Sequence, residues 1–190
     1  MRRTCPATQG DLANYTNVRV EPPDHGIGRS RGGLSTKIHA LSDGKGRPLV
    51  LLIAPGQGGD APMLPHVMGQ LRIERVGSAR ARTRPERLRG DKAYSSRAIR
   101  QHLRDCGIIA VIPQPSDQIG HRKRRGSAGG RPPAFDADDY RGRNVIERSF
   151  CDQKQWRGIA TRYYKLAITY RGGAVLSAIT IWLKALEEAP

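Results

Sequence analysis

Apolar residues alternate along some stretches of this chain and recur at helical spacing along others, and the two periods divide it into elements. LSTKIHAL at Leu34–Leu41 and PLVLLIAP at Pro48–Pro55 flank the turn-rich SDGKGR, which predicts a hairpin with Asp43 in its turn. The second run is apolar on both faces, so it is expected to be a central strand. Asp60 is expected to cap a short helix carrying Met63, Leu64, Val67 and Leu71, with Pro62 tolerated in the first turn. In GDKAYSSRAIRQHLRDCGIIAVIP, Ser95 or Ser96 caps a helix on which Ala98, Ile99, His102, Leu103 and Cys106 recur at helical spacing. Gly107 stops that helix, and IIAVI follows as a buried strand ending at Pro113. If the strands on either side are parallel, Asp91 lies near the carboxyl end of the first, where open α/β sheets place their ligands.

The remaining segments carry weaker patterns. Tyr15–Val20 alternates like a strand before EPPDHG breaks it, and residues 1–27 define no fold by themselves. Arg75–Arg89 is basic and rich in breakers, which predicts an exposed loop or a poorly formed strand. Between Gln114 and Pro133 the composition turns to Gly, Pro, Arg and Lys around HRKRRGSAGGRPP, predicting a mobile basic loop over 114–133. Its Arg122, Lys123, Arg124 and Arg125 are candidate nucleic-acid contacts, and a solubilising linker is an equally good reading. Asp136–Lys154 predicts one helix, and Leu166–Leu186 a last one with a break at Gly172 and Gly173. At about 100° per residue, Arg143, Glu147 and Lys154 fall at roughly −60°, −20° and −40° from Tyr140, so a single helix would carry all four on one stripe. Taken alone, that stripe is a solvated face with an Arg143–Glu147 pair.

Charge changes the picture. The 190 residues hold 33 Lys and Arg against 17 Asp and Glu, a formal net charge of +16, which favours a polyanionic partner. The longest apolar run, Ala174–Leu186, is too short to span a bilayer and contains Lys184, so a membrane is not expected. The N-terminus lacks the apolar segment of a secretory signal, which predicts a cytoplasmic protein. Three widely spaced cysteines argue against a disulfide framework or a zinc site, and the five histidines show no ligand spacing. Trp156 and Trp182 are expected in the core, with Trp156 within reach of a nearby base. The Gly-rich APGQGGDAP lacks the Lys and Ser or Thr of a nucleotide-binding loop. Aromatic residues are only 5%, and neither an aromatic platform nor a GXXG clamp is present, which disfavours an RNA-binding module. A hydrophobic content of 37% suits one compact unit.

With Asp91 at a strand end and Glu147 on a later helix, the chain resembles bacterial insertion-sequence transposases of the DDE class. The resemblance runs from GRSRGGLSTKIHAL through PLVLLIAPGQGGDAP and GDKAYSSRAIR to NVIERSFCDQKQWRGIATRYYKLA and ITIWLKAL. Its most specific element is the Tyr, Arg, Glu, Lys signature, met by Tyr140, Arg143, Glu147 and Lys154. It implies an α/β, ribonuclease-H-like mixed sheet flanked by helices, with residues 28–186 forming a partial catalytic domain. It also implies metal-dependent cleavage and strand transfer at element ends, with Asp91 and Glu147 as catalytic metal ligands for Mg²⁺ or Mn²⁺ and Tyr140, Arg143 and Lys154 in support.

The resemblance also implies a first Asp upstream of GRSRGG. Neither Asp11, followed by Leu12 and Ala13, nor Asp24, in PPDHG, reproduces the family pattern, while Asp43 and Asp60 suit a turn and a cap. The sheet is therefore expected to lack its first strand, the two-metal site to be incomplete, and the chain to be a truncated or split transposase with impaired activity. The partners implied are double-stranded DNA at element ends and target, with a second copy or the missing N-terminal part. A non-catalytic basic remnant that binds the ends or regulates the intact enzyme is the alternative.

Overall fold

A computed structural model describes residues 26–75, 77, 80–164 and 166–188. The weak strand expected at Tyr15–Val20, the aspartates Asp11 and Asp24, and any strand preceding Gly26 lie outside those residues. Instead of one compact unit, the chain divides into two, Met1–Leu71 with Val145–Pro190 and Arg72–Asn144.

The first unit is built on the predicted hairpin. Strands β1 (Gly28–Ser30), β2 (Gly33–Ser42) and β3 (Pro48–Pro55) form an antiparallel sheet in that order, with Ile38 opposite Ile53 and Ala40 opposite Leu51. Asp43 shapes the turn as its residue type suggests: its Oδ1 accepts from the backbone N–H of Lys45 and of Arg47, both at 2.9 Å. Strand β3 is buried on both faces, as its unbroken apolar run predicts. Val50 and Leu52 pack with Val67 of helix α1 (Asp60–Gly69) and with Leu71 just past its end, while Leu51 packs with Ile159, Tyr170, Ala174 and Ala178. Those last residues belong to α6 (Arg157–Ala160) and α7 (Ala167–Glu187).

Three expectations for this unit are corrected. Gly59, not Asp60, is the N-cap of α1, because the Asp60 carboxylate is drawn to Lys37 Nζ at 3.1 Å. Helix α7 runs unbroken through Gly172 and Gly173. Two helical glycines cost about 1 kcal/mol each relative to alanine, and the buried row Ala167, Tyr170, Ala174, Ser177 and Ala178 offsets that cost. Tyr170 and Trp182 add directional ties, donating to Ile159 O at 3.1 Å and to Pro48 O at 2.8 Å. Trp156 is 40% exposed at the N-cap of α6, so it is not a core residue.

The second unit holds the strand–helix–strand segment. Strands β4 (Arg87–Arg89) and β5 (Ile109–Val111) are parallel, joined through α2 (Arg97–Asp105). Ser96 caps α2, accepting from Ile99 N–H at 3.2 Å, and Gly107 ends it at φ +70, a conformation that strains any side chain. Leu88, Ile99, Leu103, Ile108, Val111 and Ile112 make the core, with Leu103 and Ile112 fully buried. Ile109 is 58% exposed, so the IIAVI run, expected to be buried, opens to solvent at that residue, while Ile108, Val111 and Ile112 are buried. Among the described residues the strands form two sheets, one antiparallel and one parallel, where a single mixed sheet was expected. The fold class is α/β as expected.

Two further expectations fail in this part of the chain. Residues 114–133 include a helix, α3 (Ser116–Arg124), and a 3-10 turn at Gly126–Gly129 in place of a mobile loop. Asp117 in the first turn and His121, Arg122, Lys123 and Arg124 in the last complement the helix dipole at both ends, a local source of stability invisible to a composition argument. The expected helix over Asp136–Lys154 is broken into α4 (Ala137–Arg141) and α5 (Asn144–Lys154). At the break, Gly142 and Arg143 close i to i−3 hydrogen bonds, to Asp139 O at 3.1 Å and Tyr140 O at 2.9 Å, and a Cβ on Gly142 would lie 3.0 Å from the Arg89 guanidinium carbon.

Candidate active site and nucleic-acid interface

Asp91 stands where the parallel strands predict a functional side chain. The N–H of Gly90 donates to Val111 O at 3.2 Å, prolonging the β4–β5 ladder to the residue before it. Asp91 then leaves the strand and caps the 3-10 turn Lys92–Tyr94, its Oδ1 accepting from Ala93 N–H at 3.0 Å. Behind it, Arg100 is 7% exposed and fixes the turn to the strand: one Nη donates to Ser95 Oγ at 3.0 Å and to Ile112 O at 2.7 Å. Ser95 in turn donates to Gln118 Oε1 of α3 at 3.0 Å.

Glu147 belongs to the other unit, exposed in the first turn of α5. Lys154 is exposed in the last turn of that helix, and a spacing of seven residues returns it to within about 20° of Glu147. The break at Gly142 leaves Tyr140 on α4 and Arg143 in the turn before α5, so the four signature residues do not lie on one continuous helix as expected. Tyr140 lies on α4 between two partners. The Phe135 ring is 5.4 Å from it, tilted by 60°, and the Arg143 guanidinium sits 5.7 Å over its ring on the cation–π pattern.

The candidate basic contacts lie at the end of α3 and just past it. Lys123, Arg124 and Arg125 are exposed, whereas Arg122 is half-buried and donates to Gln114 Oε1. Residue identity in the sequence did not separate the tied cation from the exposed ones.

Sequence reasoning missed one cluster. Arg87 Nη1 and Arg89 Nε donate to opposite oxygens of the Asp139 carboxylate, at 2.8 and 2.7 Å. The Arg89 hydrogen bond is the first cause holding that carboxyl below its usual range; desolvation opposes it, and Arg87 adds to the lowering. Two arginines at i and i+2 of a strand point to the same side, which was the available signal.

Residues 15–179 match the family described as the transposase DDE domain. The chain belongs to this family. A protein of Brucella ovis assigned as transposase of insertion sequence element IS6501 is 31% identical to it over 151 residues, covering 80% of this chain and all of that relative. No solved structure matches.

Transposase DDE domains serve DNA transposition and generally use a divalent metal ion. Asp91 and Glu147 offer the hard oxygen donors that such an ion takes. They come from different units, however, and among the described residues no group of three His, Cys, Asp or Glu side chains gathers to hold an ion. The described residues therefore supply suitable donors without completing a metal site. Among them, too, no helix is long and apolar enough to cross a membrane.

Proposed function

We propose that this transposase-family chain engages double-stranded DNA at insertion-sequence ends, with Asp91 and Glu147 as the carboxylates of its cleavage and strand-transfer chemistry. The observation that supports this most is the position of Asp91: it follows the carboxyl end of a strand in a parallel pair, inside a segment matched to the DDE transposase family. A bound divalent ion would supply Lewis-acid stabilisation of charge at the phosphate under attack. The chain's own contribution is placement. Ala93 N–H holds one oxygen of Asp91 and leaves the other open, and Lys154 is set on the Glu147 face of α5 to meet a phosphate. Arg143 and Tyr140 hold each other through the cation–π contact and would present one cation to the DNA backbone. With two carboxylates identified and no third matching the family pattern, strand transfer by the chain alone is weak.

A second reading, a DNA-binding protein without catalysis that occupies element ends or regulates the intact transposase, draws on the exposed Lys123, Arg124 and Arg125. One experiment separates the two. Cleavage of terminal DNA in Mg²⁺ or Mn²⁺ is measured for the full chain and for Glu147→Ala. Cleavage lost in the variant supports the catalytic reading, and binding without cleavage in either protein supports the second.

A further inference from the structure

The second unit contains a cavity of about 520 Å³, open to solvent, that lies outside the signature residues. Its size falls inside the roughly 300–1,000 Å³ range of small-molecule sites. One wall is apolar and exposed: Ile109 on β5 at 58%, and Phe135 at 43%, with Pro133 beside it. The other wall is cationic, formed by Arg87, Arg100 and Arg104.

The charges in this cavity do not cancel. Arg87 is committed to Asp139, and Asp136, also at the cavity, is occupied in capping α4 through the N–H groups of Asp138 and Asp139 at 3.0 and 2.9 Å. Arg100 and Arg104 stand one turn apart on α2 and make no ion pair with a carboxylate among the described residues. Arg104 donates to the neutral Gln101 Oε1 at 2.7 Å. Arg100 is 7% exposed, and its Nε is buried with no hydrogen-bond partner among the described residues. Burial first, and the Arg104 cation second, push its pKa below the ordinary value. A buried guanidinium with an unused donor and a cationic neighbour is a poor end state for a folded protein, and an anion at the cavity relieves both defects.

We infer that this cavity binds one nucleotide of unpaired DNA, its phosphate at Arg100 and Arg104 and its base against Phe135 and Ile109. The inference rests on the DNA-binding reading above and assigns it a second, strand-specific site. An exposed phenyl ring beside cations is the combination that holds single strands, because every base has a stacking face and every nucleotide carries a phosphate. The Phe135 ring is fixed for this task by Tyr140, tilted against it at 5.4 Å, and Tyr140 is fixed by Arg143. Tyr140 is thereby a positioning residue for the site.

The test uses the full chain and three labelled probes of equal length, about eight nucleotides, within the span of a small single-strand site. These are oligothymidylate, the same backbone without bases, and a duplex, each titrated by fluorescence anisotropy. Oligothymidylate is expected to bind roughly tenfold more tightly than the abasic strand, and Phe135→Ala to erase that difference. Arg104→Ala is expected to weaken both single strands and to lower their salt dependence. Because Phe135, Arg104 and Ile109 are exposed, their replacement leaves the core intact; Ile109→Glu, which puts a negative charge at the cavity, is expected to give the same loss, and circular dichroism checks folding. Equal binding of thymidylate and abasic strands by the wild type, or a preference that survives Phe135→Ala, overturns the site. Retained duplex binding in that case leaves the DNA-binding reading standing, whereas a wild type that binds none of the three probes removes both.

Discussion

Arg89 and Asp139, 50 positions apart in sequence, are joined by a guanidinium Nε–H that donates to Oδ1 at 2.7 Å. Arg87 takes the other oxygen of the same carboxylate, whose side chain is only 8% exposed. The pair ties strand β4, which leads to Asp91, to helix α4, which carries Tyr140.

The tie carries a pH signature. The folded carboxyl titrates below its ordinary range, so the unfolded chain takes up the proton first as pH falls. The contribution is complete above the unfolded value, about 3.9, and is lost as pH drops through the lower folded value. Asp139→Asn should lower the thermal midpoint at neutral pH and flatten the decline of the midpoint on the acid side of about pH 4. An unchanged acid decline would show that Asp139 is not responsible for it.

Leu103 is fully buried at the centre of the second unit. Leu103→Ala should cost about 2–5 kcal/mol, from the forfeited transfer energy and the space left behind. Urea unfolding measures this, and a cost near zero would mean that the core collapses around the deletion.

Gln153 is 1% exposed, and neither side-chain amide atom finds a hydrogen-bond partner among the described residues. Replacing a buried amide with an apolar group of similar length removes a desolvation penalty of about 1–3 kcal/mol. Gln153→Met should therefore raise the thermal midpoint. A fall would point to a hydrogen bond that the amide makes in solution.

The exposed cations at the end of α3 predict a salt effect. If Lys123, Arg124 and Arg125 meet DNA phosphates, changing all three to Ala should lower the slope of log affinity against log salt by about 0.9 for each phosphate that is no longer neutralised. Duplex affinity measured at several salt concentrations gives that slope. No change in it would make this basic end of α3 a solvated surface.

The apolar rhythm carried the hairpin, the two-faced β3 and the strand–helix–strand unit, because each buries what its period predicts except at Ile109. It failed where local electrostatics decided the backbone. Helix α3 buries none of its residues, so no periodicity betrays it, and its stability at the two ends comes from the placement of charge. The break between α4 and α5 was equally hidden: Gly142 is tolerated in a helix, and what marks it is the Arg89 guanidinium, distant in sequence, lying against it. Of the proposed site, the sequence placed Asp91 at its strand end. The Phe135–Tyr140–Arg143 stack and the Arg87–Asp139–Arg89 cluster needed the fold, since their partners meet only through the break and across the long connection from β4 to α4.

The first unit is interrupted by the second along the chain, and this sets an order of assembly during synthesis. Residues 72–144 are contiguous and can close their core as soon as they emerge. The hairpin and α1 are made earlier, but the face of β3 that carries Leu51 receives Ile159, Tyr170, Ala174 and Ala178 only when the last helices leave the ribosome. For most of translation this apolar strand face is without its partner, which makes the waiting hairpin the part of the nascent chain most in need of a chaperone.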